Sequence, residues 1–254
     1  MSEPAAGAPL VTVAGLAKVF RNGTEALNGV DLEIRSGAFL SLLGPSGCGK
    51  STLLRIIAGL TQPTAGEIAW PARGAGRIGF VFQEPTLMPW ATVWDNAYLP
   101  LRLLGVARAD AAPRIEAALA SLGLEGFAQV YPRELSGGMK MRVSIARALA
   151  TSPRLLLMDE PFAALDEMTR DRMNEELLRL RAEQQWTGVF VTHSVAEAVF
   201  LSTRIIVLAP NPGRVHAVLP IDLPFPRTAQ LRESDEFEAL VGRASHILRE
   251  ALIQ

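Results

Sequence analysis

The stretch Gly44-Pro45-Ser46-Gly47-Cys48-Gly49-Lys50-Ser51 constrains this chain more than any other. It fits the spacing GxxxxGK[ST], with an apolar run before it and a helical pattern after it, the context in which that spacing carries meaning. Gly44, Gly47 and Gly49 let backbone N–H groups wrap a β-phosphate. Lys50 adds a cation for the β- and γ-phosphates, Ser51 offers a hydroxyl to Mg²⁺, and the helix N-terminus adds its fixed positive end. Cys48 reads as a small loop residue that contributes its N–H.

Around this loop, short apolar runs alternate with helical segments, which argues for α/β. Leu10–Val13, Val30–Ile34 and Ala38–Leu43 read as early strands, with Asn22-Gly23 as the turn between the first two. Ser51–Ala58 reads as the helix after the loop, stopped at Gly59; Glu67–Trp70 and Ile78–Phe82 return to strand. Strand signals then vanish over 84–150, where Pro85, Pro89, Pro100 and Pro113 punctuate helical stretches and Ile115, Leu119 and Leu122 share one helix face. The expectation is one domain over 1–254 with a helical subdomain at 84–150 and a C-terminal extension at 222–254. Strands resume at Leu155–Met158, Val189–Thr192 and Ile205–Leu208, with Met173, Leu177 and Leu180 on one helix face between the first two. Strands apolar throughout and separated by helices suit a parallel sheet covered on both faces. The tail holds Pro220, Pro224 and Pro226, then a last helix in which Phe237, Leu240, Val241, Ala244, Leu248 and Ala251 recur at helical spacing.

A second anion-seeking feature lies 86 residues on (136 − 50). In Leu135-Ser136-Gly137-Gly138-Met139, Ser136 is a good N-cap for a helix read over 139–150, and the two glycines leave first-turn N–H groups bare to a phosphate. Leu155-Leu156-Leu157-Met158-Asp159-Glu160 is an apolar strand ending in two carboxylates, and acids at that end of a parallel strand face the ligand crevice. Asp159 suits Mg²⁺ held through water; Glu160 suits a base for the attacking water. Gln83 closes a strand, where a neutral side chain can contact Mg²⁺ or the lytic water, and His193 follows another strand, within reach of a γ-phosphate. His216 and His246 have no such context and read as structural.

Composition narrows the classes further. Lys+Arg is 25 and Asp+Glu 26, a net charge of −1, so no strong field draws nucleic acid or acidic lipid. A single cysteine, Cys48, excludes an internal disulfide and a cysteine zinc cluster. The segment MSEPAAGAPLV lacks a basic region and a long apolar core, and no apolar run approaches the ~18 residues a bilayer span needs, so a membrane role is expected through a partner.

Taken together, the chain resembles the ATP-binding subunit of an ABC transporter. The motifs follow that family's order: the phosphate loop Gly44–Thr52, with Pro45, Ser46 and Thr52 among its residues; Gln83; the signature Leu135–Met139; Leu155–Glu160; Ala164-Leu165-Asp166; and His193. Phe20 sits where the family keeps an aromatic that stacks on adenine. The resemblance implies a P-loop NTPase core with a mostly parallel sheet, an antiparallel β edge and an inserted helical subdomain. It also implies ATP and Mg²⁺ as cofactors and catalysis by Lys50, Glu160 and His193. Metal contacts fall to Ser51, Gln83 and Asp159.

In that family two ATPase subunits pair head to tail, so Ser136, Gly137, Gly138 and Asp166 would serve ATP bound to the partner. Permease subunits, and indirectly a solute-binding protein, would complete the machine at the cytoplasmic side of the cell membrane. A closer resemblance, to importer ATPases for nitrate, aliphatic sulfonates, taurine and related compounds, rests on five segments. These are Leu87-Met88-Pro89-Trp90, Met158–Phe162, Thr192–Ala198, Pro212-Gly213-Arg214 and Leu223-Pro224-Phe225-Pro226-Arg227. Met139 and Met141 replace common glutamines, Ser194 a common aspartate, and Phe20 a commoner tyrosine. Two rival readings are a soluble, non-transport ABC ATPase and a non-catalytic regulator; intact Lys50, Asp159 and Glu160 oppose the second.

Overall fold

A computed structural model describes residues 7–70 and 77–253, so residues 1–6 of the N-terminal segment lie outside it. The chain forms two compact units, one of Met1–Ala75 and Gln185–Gln254, the other of Gly76–Gln184.

In the first unit, β1 (Pro9–Val19) pairs antiparallel with β2 (Glu25–Arg35). It continues well past the expected Val13, because a register shift between Val13 and Leu16 accommodates Gly15 at φ 57° and keeps pairing alive. The turn at Asn22-Gly23 joins the two strands, with Gly23 at φ 83°. A third strand, β4 (Ala65–Ala69), pairs with β1 on its other side. The parallel part is built on β3 (Phe39–Leu43), flanked by β7 (Thr187–Thr192) and β8 (Arg204–Ala209). Every residue of β3 and of β7 is buried, the mark of strands covered on both faces, with Ser41, Thr187 and Thr192 the polar residues among them. Between them in sequence lies α1 (Lys50–Ile57), which buries Leu53, Leu54, Ile56 and Ile57.

One strand of this unit is absent from the sequence reading. β9 (Arg214–Pro220) pairs antiparallel with β8, and Pro220, read as part of a tail, closes it. It buries only Leu219, so neither strict alternation nor a continuous apolar run marks it, as befits an edge strand. α6 (Val195–Leu201) and α7 (Asp235–Ile253) complete the unit; α7 buries Phe237, Ala244 and Ala251 against α6 and β8.

The second unit carries two parallel strands, β5 (Ile78–Val81) and β6 (Leu155–Asp159). Its helices are α2 (Val93–Leu103), α3 (Arg108–Ala120), α4 (Gly137–Leu149) and α5 (Glu167–Gln184). α4 packs on α2, α3 and β5. Ile115 and Leu119 lie on the buried side of α3 as expected, but α3 ends at Ala120, so the buried Leu122 belongs to the following turn. Asn96, fully buried, ties down the segment before α2: its amide donates to the carbonyls of Met88, Ala91 and Thr92 and its oxygen accepts from the Met88 N–H at 2.7 Å. Among the described residues no helix is long and apolar enough to cross a membrane.

Candidate nucleotide site

Parallel pairing brings two predicted features together in the first unit. Leu43, the last residue of β3, is in register with Thr192, the last of β7, so Gly44 and His193 leave adjacent strand ends side by side. The glycine loop then turns into α1 through Gly49, the N-cap of that helix at φ 93°, while Gly47 stands at φ 81°. Both values lie in the left-handed region, where most residues other than glycine are strained.

The glycines differ in what surrounds them. A side-chain carbon at Gly47 would meet nothing within 4 Å. One at Gly44 would stand 2.7 Å from Cys48 Sγ and 2.8 Å from the Leu208 carbonyl oxygen; one at Gly49 would stand 2.6 Å from both the Ala26 oxygen and Leu27 Cδ2. The loop is therefore packed beneath and open at Gly47, the shape a phosphate needs for close approach.

Lys50 is only 4% exposed, and its ammonium donates to the Gly44 oxygen at 2.8 Å and the Pro45 oxygen at 2.9 Å, so its charge is held against the loop mouth. Cys48 is buried beneath; burial pushes its thiol up, and the nearby Lys50 only partly offsets this. Ser51 and Thr52 are half-buried in the first turn of α1. Phe20 lies in the β1–β2 turn, 41% exposed, with Lys18 Nζ 5.3 Å from its ring centre.

His193 is exposed at the end of β7, and the chain around it is fixed by bonds that the sequence did not announce. Ser194, in place of the common aspartate, caps α6 by accepting the Glu197 N–H at 3.3 Å. The buried Glu197 accepts the Thr192 hydroxyl at 2.5 Å, and that hydroxyl oxygen accepts the Ser194 N–H at 2.9 Å. The result is a capping box relayed through the preceding threonine; the Ser-x-x-Glu spacing was the available signal.

The second unit assembles the remaining residues in two places. Val81 of β5 is in register with Met158 of β6, so Gln83 and Glu160 each stand two residues beyond the same rung. Asp159 is 3% exposed, while Gln83 is exposed. Glu160 is in the left-handed region at φ 46°, a conformation that costs a non-glycine residue about 1–3 kcal/mol and is concentrated at working sites.

The other place is the start of α4, which begins at Gly137 rather than 139. Ser136 is its N-cap and accepts the Met139 N–H at 3.3 Å. A side-chain carbon at Gly137 would meet nothing within 4 Å, and one at Gly138 would meet Leu165 and Thr169 at 3.5 and 3.8 Å. Signature and aspartate loop are thus neighbours. Asp166 accepts the Thr169 N–H at 3.0 Å, and that N–H above all holds its exposed carboxyl below the ordinary range. Arg170 braces the same turn by donating to the oxygens of Leu165 at 2.8 Å and Phe162 at 3.3 Å.

With the geometry in hand, comparison with known proteins gives a consistent answer. Residues 27–163 match the ABC transporter family. An ABC transporter ATP-binding protein of Methanocaldococcus jannaschii is 46% identical over 253 residues, covering 95% of this chain and 92% of that protein. An aliphatic sulfonates import ATP-binding protein of Bacillus licheniformis is 44% identical over 230 residues, 88% of each.

Among solved structures, a dimeric ATP-binding cassette in a post-hydrolysis state with ADP and Pi superposes at TM-score 0.74 and 35% identity, over 84% of this chain and 100% of that one. cbiO1 of Clostridium perfringens, part of the transporter complex cbiONQ, superposes at 0.76 and 26% identity, over 95% and 99%. The open-topped phosphate loop, the capped Ser-Gly-Gly helix and these relatives lead to one conclusion: the chain belongs to the ABC transporter family and is an ATPase of that family.

Proposed function

We propose that this chain powers an importer for a small solute, of the nitrate, aliphatic sulfonate and taurine kind, by binding ATP with Mg²⁺ and closing head to tail on a second copy. The observation that carries the nucleotide assignment is the loop itself: crowded under Gly44 and Gly49, open at Gly47, with Lys50 held across its mouth.

The residues fit a metal that arrives with the nucleotide. Among the described residues no group of three or more His, Cys, Asp or Glu side chains could hold an ion alone, and Mg²⁺ in phosphoryl-transfer sites takes most of its ligands from phosphate and water. Ser51, Gln83 and Asp159 are its assigned protein partners. When bound, the ion neutralises charge developing on the phosphates. Lys50 shares that task, Glu160 accepts a proton from the attacking water, His193 senses the γ-phosphate, and Phe20 stacks on adenine. Ser136, Gly137, Gly138 and Asp166 serve the nucleotide of the partner subunit.

A groove in the second unit supports coupling to a permease. It measures about 260 Å³ and is walled by Phe80, Phe82, Thr86, Leu99, Leu103 and Arg147. Leu103 is 79% exposed at its rim. Arg147 braces it by donating to the oxygens of Thr86 at 2.9 Å and Pro85 at 3.0 Å. The chain would then work at the cytoplasmic side of the membrane, held there by the permease, with a solute-binding protein supplying cargo. The sulfonate-import relatives favour that substrate class.

The deciding experiment is Glu160→Gln. It should bind ATP and form a dimer, yet hydrolyse at least ~10²-fold more slowly, the loss typical of a missing general base. Near-normal turnover removes Glu160 as the base. A tagged chain that brings no polytopic protein out of detergent-solubilised membranes counts against the transport reading.

A further inference from the structure

We infer that Gly213 is a positioning residue for the nucleotide: the turn between β8 and β9 is the floor of the phosphate loop and sets the height of its N–H groups. The inference rests on the reading of Gly44–Ser51 as the ATP site. Nothing in the loop sequence points to residue 213, which lies 163 positions beyond Lys50 (213 − 50).

The floor is built of backbone. Gly213 is buried; its N–H donates to the Ala26 oxygen at 3.1 Å, and its own oxygen accepts the Asn28 N–H at 2.9 Å. These bonds lay the turn parallel to β2 at Leu27, a residue with no exposed surface. A side-chain carbon at Gly213 would overlap the Cys48 carbonyl oxygen, and would stand 2.7 Å from the Ala26 oxygen and 3.1 Å from Leu27 Cδ2. From the other side, a side-chain carbon at Gly49 would press on the same Ala26 oxygen and Leu27 Cδ2, each at 2.6 Å. Ala26 and Leu27 are therefore gripped between the loop above and the turn below, and the Cys48 carbonyl reaches the turn directly.

Gly213 does not adopt a positive φ, so alanine meets no backbone penalty there. The effect of Gly213→Ala is the methyl group alone, wedged against main-chain oxygens that cannot swing aside as a flexible side chain can. The Cys48–Gly49 peptide and the turn must move apart to relieve that overlap, and any rise of the peptide carries the N-cap of α1 with it. Carrying a loop N–H away from hydrogen-bond reach of a phosphate is expected to weaken ATP about tenfold, the low end for a hydrogen bond to a charged group.

The test uses the full chain and titrates ATP calorimetrically, beside a nucleotide-free melt. Gly213→Ala should raise the Kd for ATP about tenfold. Gly242→Ala in α7, where the added carbon would meet nothing within 4 Å, should leave it unchanged. A folded Gly213→Ala protein with wild-type affinity overturns the inference, even if its melting temperature has fallen, because the turn would then be structural only. If that variant does not fold, Leu27→Ala replaces it: withdrawing the shared support should also weaken ATP several-fold, and an unchanged Kd overturns the inference equally. Failure of the unaltered chain to bind ATP would sink the nucleotide reading itself, and this inference with it.

Discussion

Ser136 caps α4, and one pair of substitutions separates that job from the one we propose for it at the partner's nucleotide. Its hydroxyl oxygen caps α4 by accepting the Met139 N–H, and it is assigned to the γ-phosphate of the partner's ATP. Ser136→Ala removes both. Loss of the cap costs about 1 kcal/mol. In a protein of this size that lowers the melting temperature by roughly 2–4 °C. Ser136→Asp restores the cap, since aspartate caps as well as serine and suits the helix dipole, but it sets a carboxylate against the incoming phosphate. A hydrogen bond to a charged group is worth about 1.5–3 kcal/mol, and a head-to-tail pair loses one at each of two sites, about 3–6 kcal/mol in all. Dimerisation should weaken by ~10²–10⁴-fold, with the aspartate at the upper end.

The assay is light scattering with MgATP on the Glu160→Gln background, beside melts without nucleotide. The expected pattern is a normal melt and lost dimer for aspartate, and a lowered melt and weakened dimer for alanine. A Ser136→Asp protein that dimerises as tightly as its parent refutes the trans assignment.

Two further outcomes follow from buried groups. Arg227, 4% exposed, donates to the oxygens of Val199, Phe200, Ser202 and Leu223 at 2.8–3.1 Å, gathering the C-terminal end of α6 to the Leu223–Arg227 segment. Arg227→Ala should cost about 3–5 kcal/mol, since the carbonyls stay buried, and lower the melt by on the order of 10 °C; Arg227→Lys should recover part of it. A melt for Arg227→Ala within about 2 °C of the parent in scanning calorimetry would mean that those oxygens find water instead.

The raised Cys48 thiol makes stability fall at alkaline pH. As pH rises through the ordinary thiol range the unfolded chain loses that proton first, so unfolding is favoured, by at most about 1.4 kcal/mol per pH unit. Urea titrations from about pH 7 to 10 should show a steeper loss for the parent than for Cys48→Ser, and identical slopes would remove burial as the cause.

Those predictions draw on features of unequal visibility in the sequence. β3, β6 and β7 are legible because each is mostly apolar and lacks the polar alternation of a half-exposed strand, a pattern that burial on both faces imposes. α4 is legible from its cap: Ser136 as N-cap already implies a first turn at Gly137-Gly138, and the structure starts the helix there, two residues before the 139–150 read from the side-chain pattern. β9 was illegible because an edge strand that buries one residue has no pattern to show. Asp166 was assigned by resemblance to a partner's nucleotide, and its work as the cap of α5 emerged only from the Thr169 contact. The Thr192–Glu197 bond is illegible in the sequence because the Ser-x-x-Glu spacing names the cap, not the threonine that relays it.

The four glycines in and beneath the phosphate loop make the same point at the scale of single atoms. In sequence Gly44, Gly47 and Gly49 are equivalent members of one motif, and Gly213 lies far off in the segment Pro212-Gly213-Arg214, which has no phosphate-binding pattern. In space the grouping is different. Gly47 is glycine for the conformation it must hold, since a side-chain carbon there would have room. Gly213 is glycine for the opposite reason: its φ would suit alanine, but a side-chain carbon would collide with the Ala26 and Cys48 oxygens. Gly49 needs both freedoms at once, and Gly44 needs room more than torsion. Substitutions should sort accordingly. A residue tolerant of positive φ, such as asparagine, has its best chance at Gly47, whereas at Gly213 the same change adds bulk where there is none to spare. Spacing along the chain thus points to the side of the loop that we propose meets phosphate. The side that meets the protein has to be found from what each missing side chain would touch.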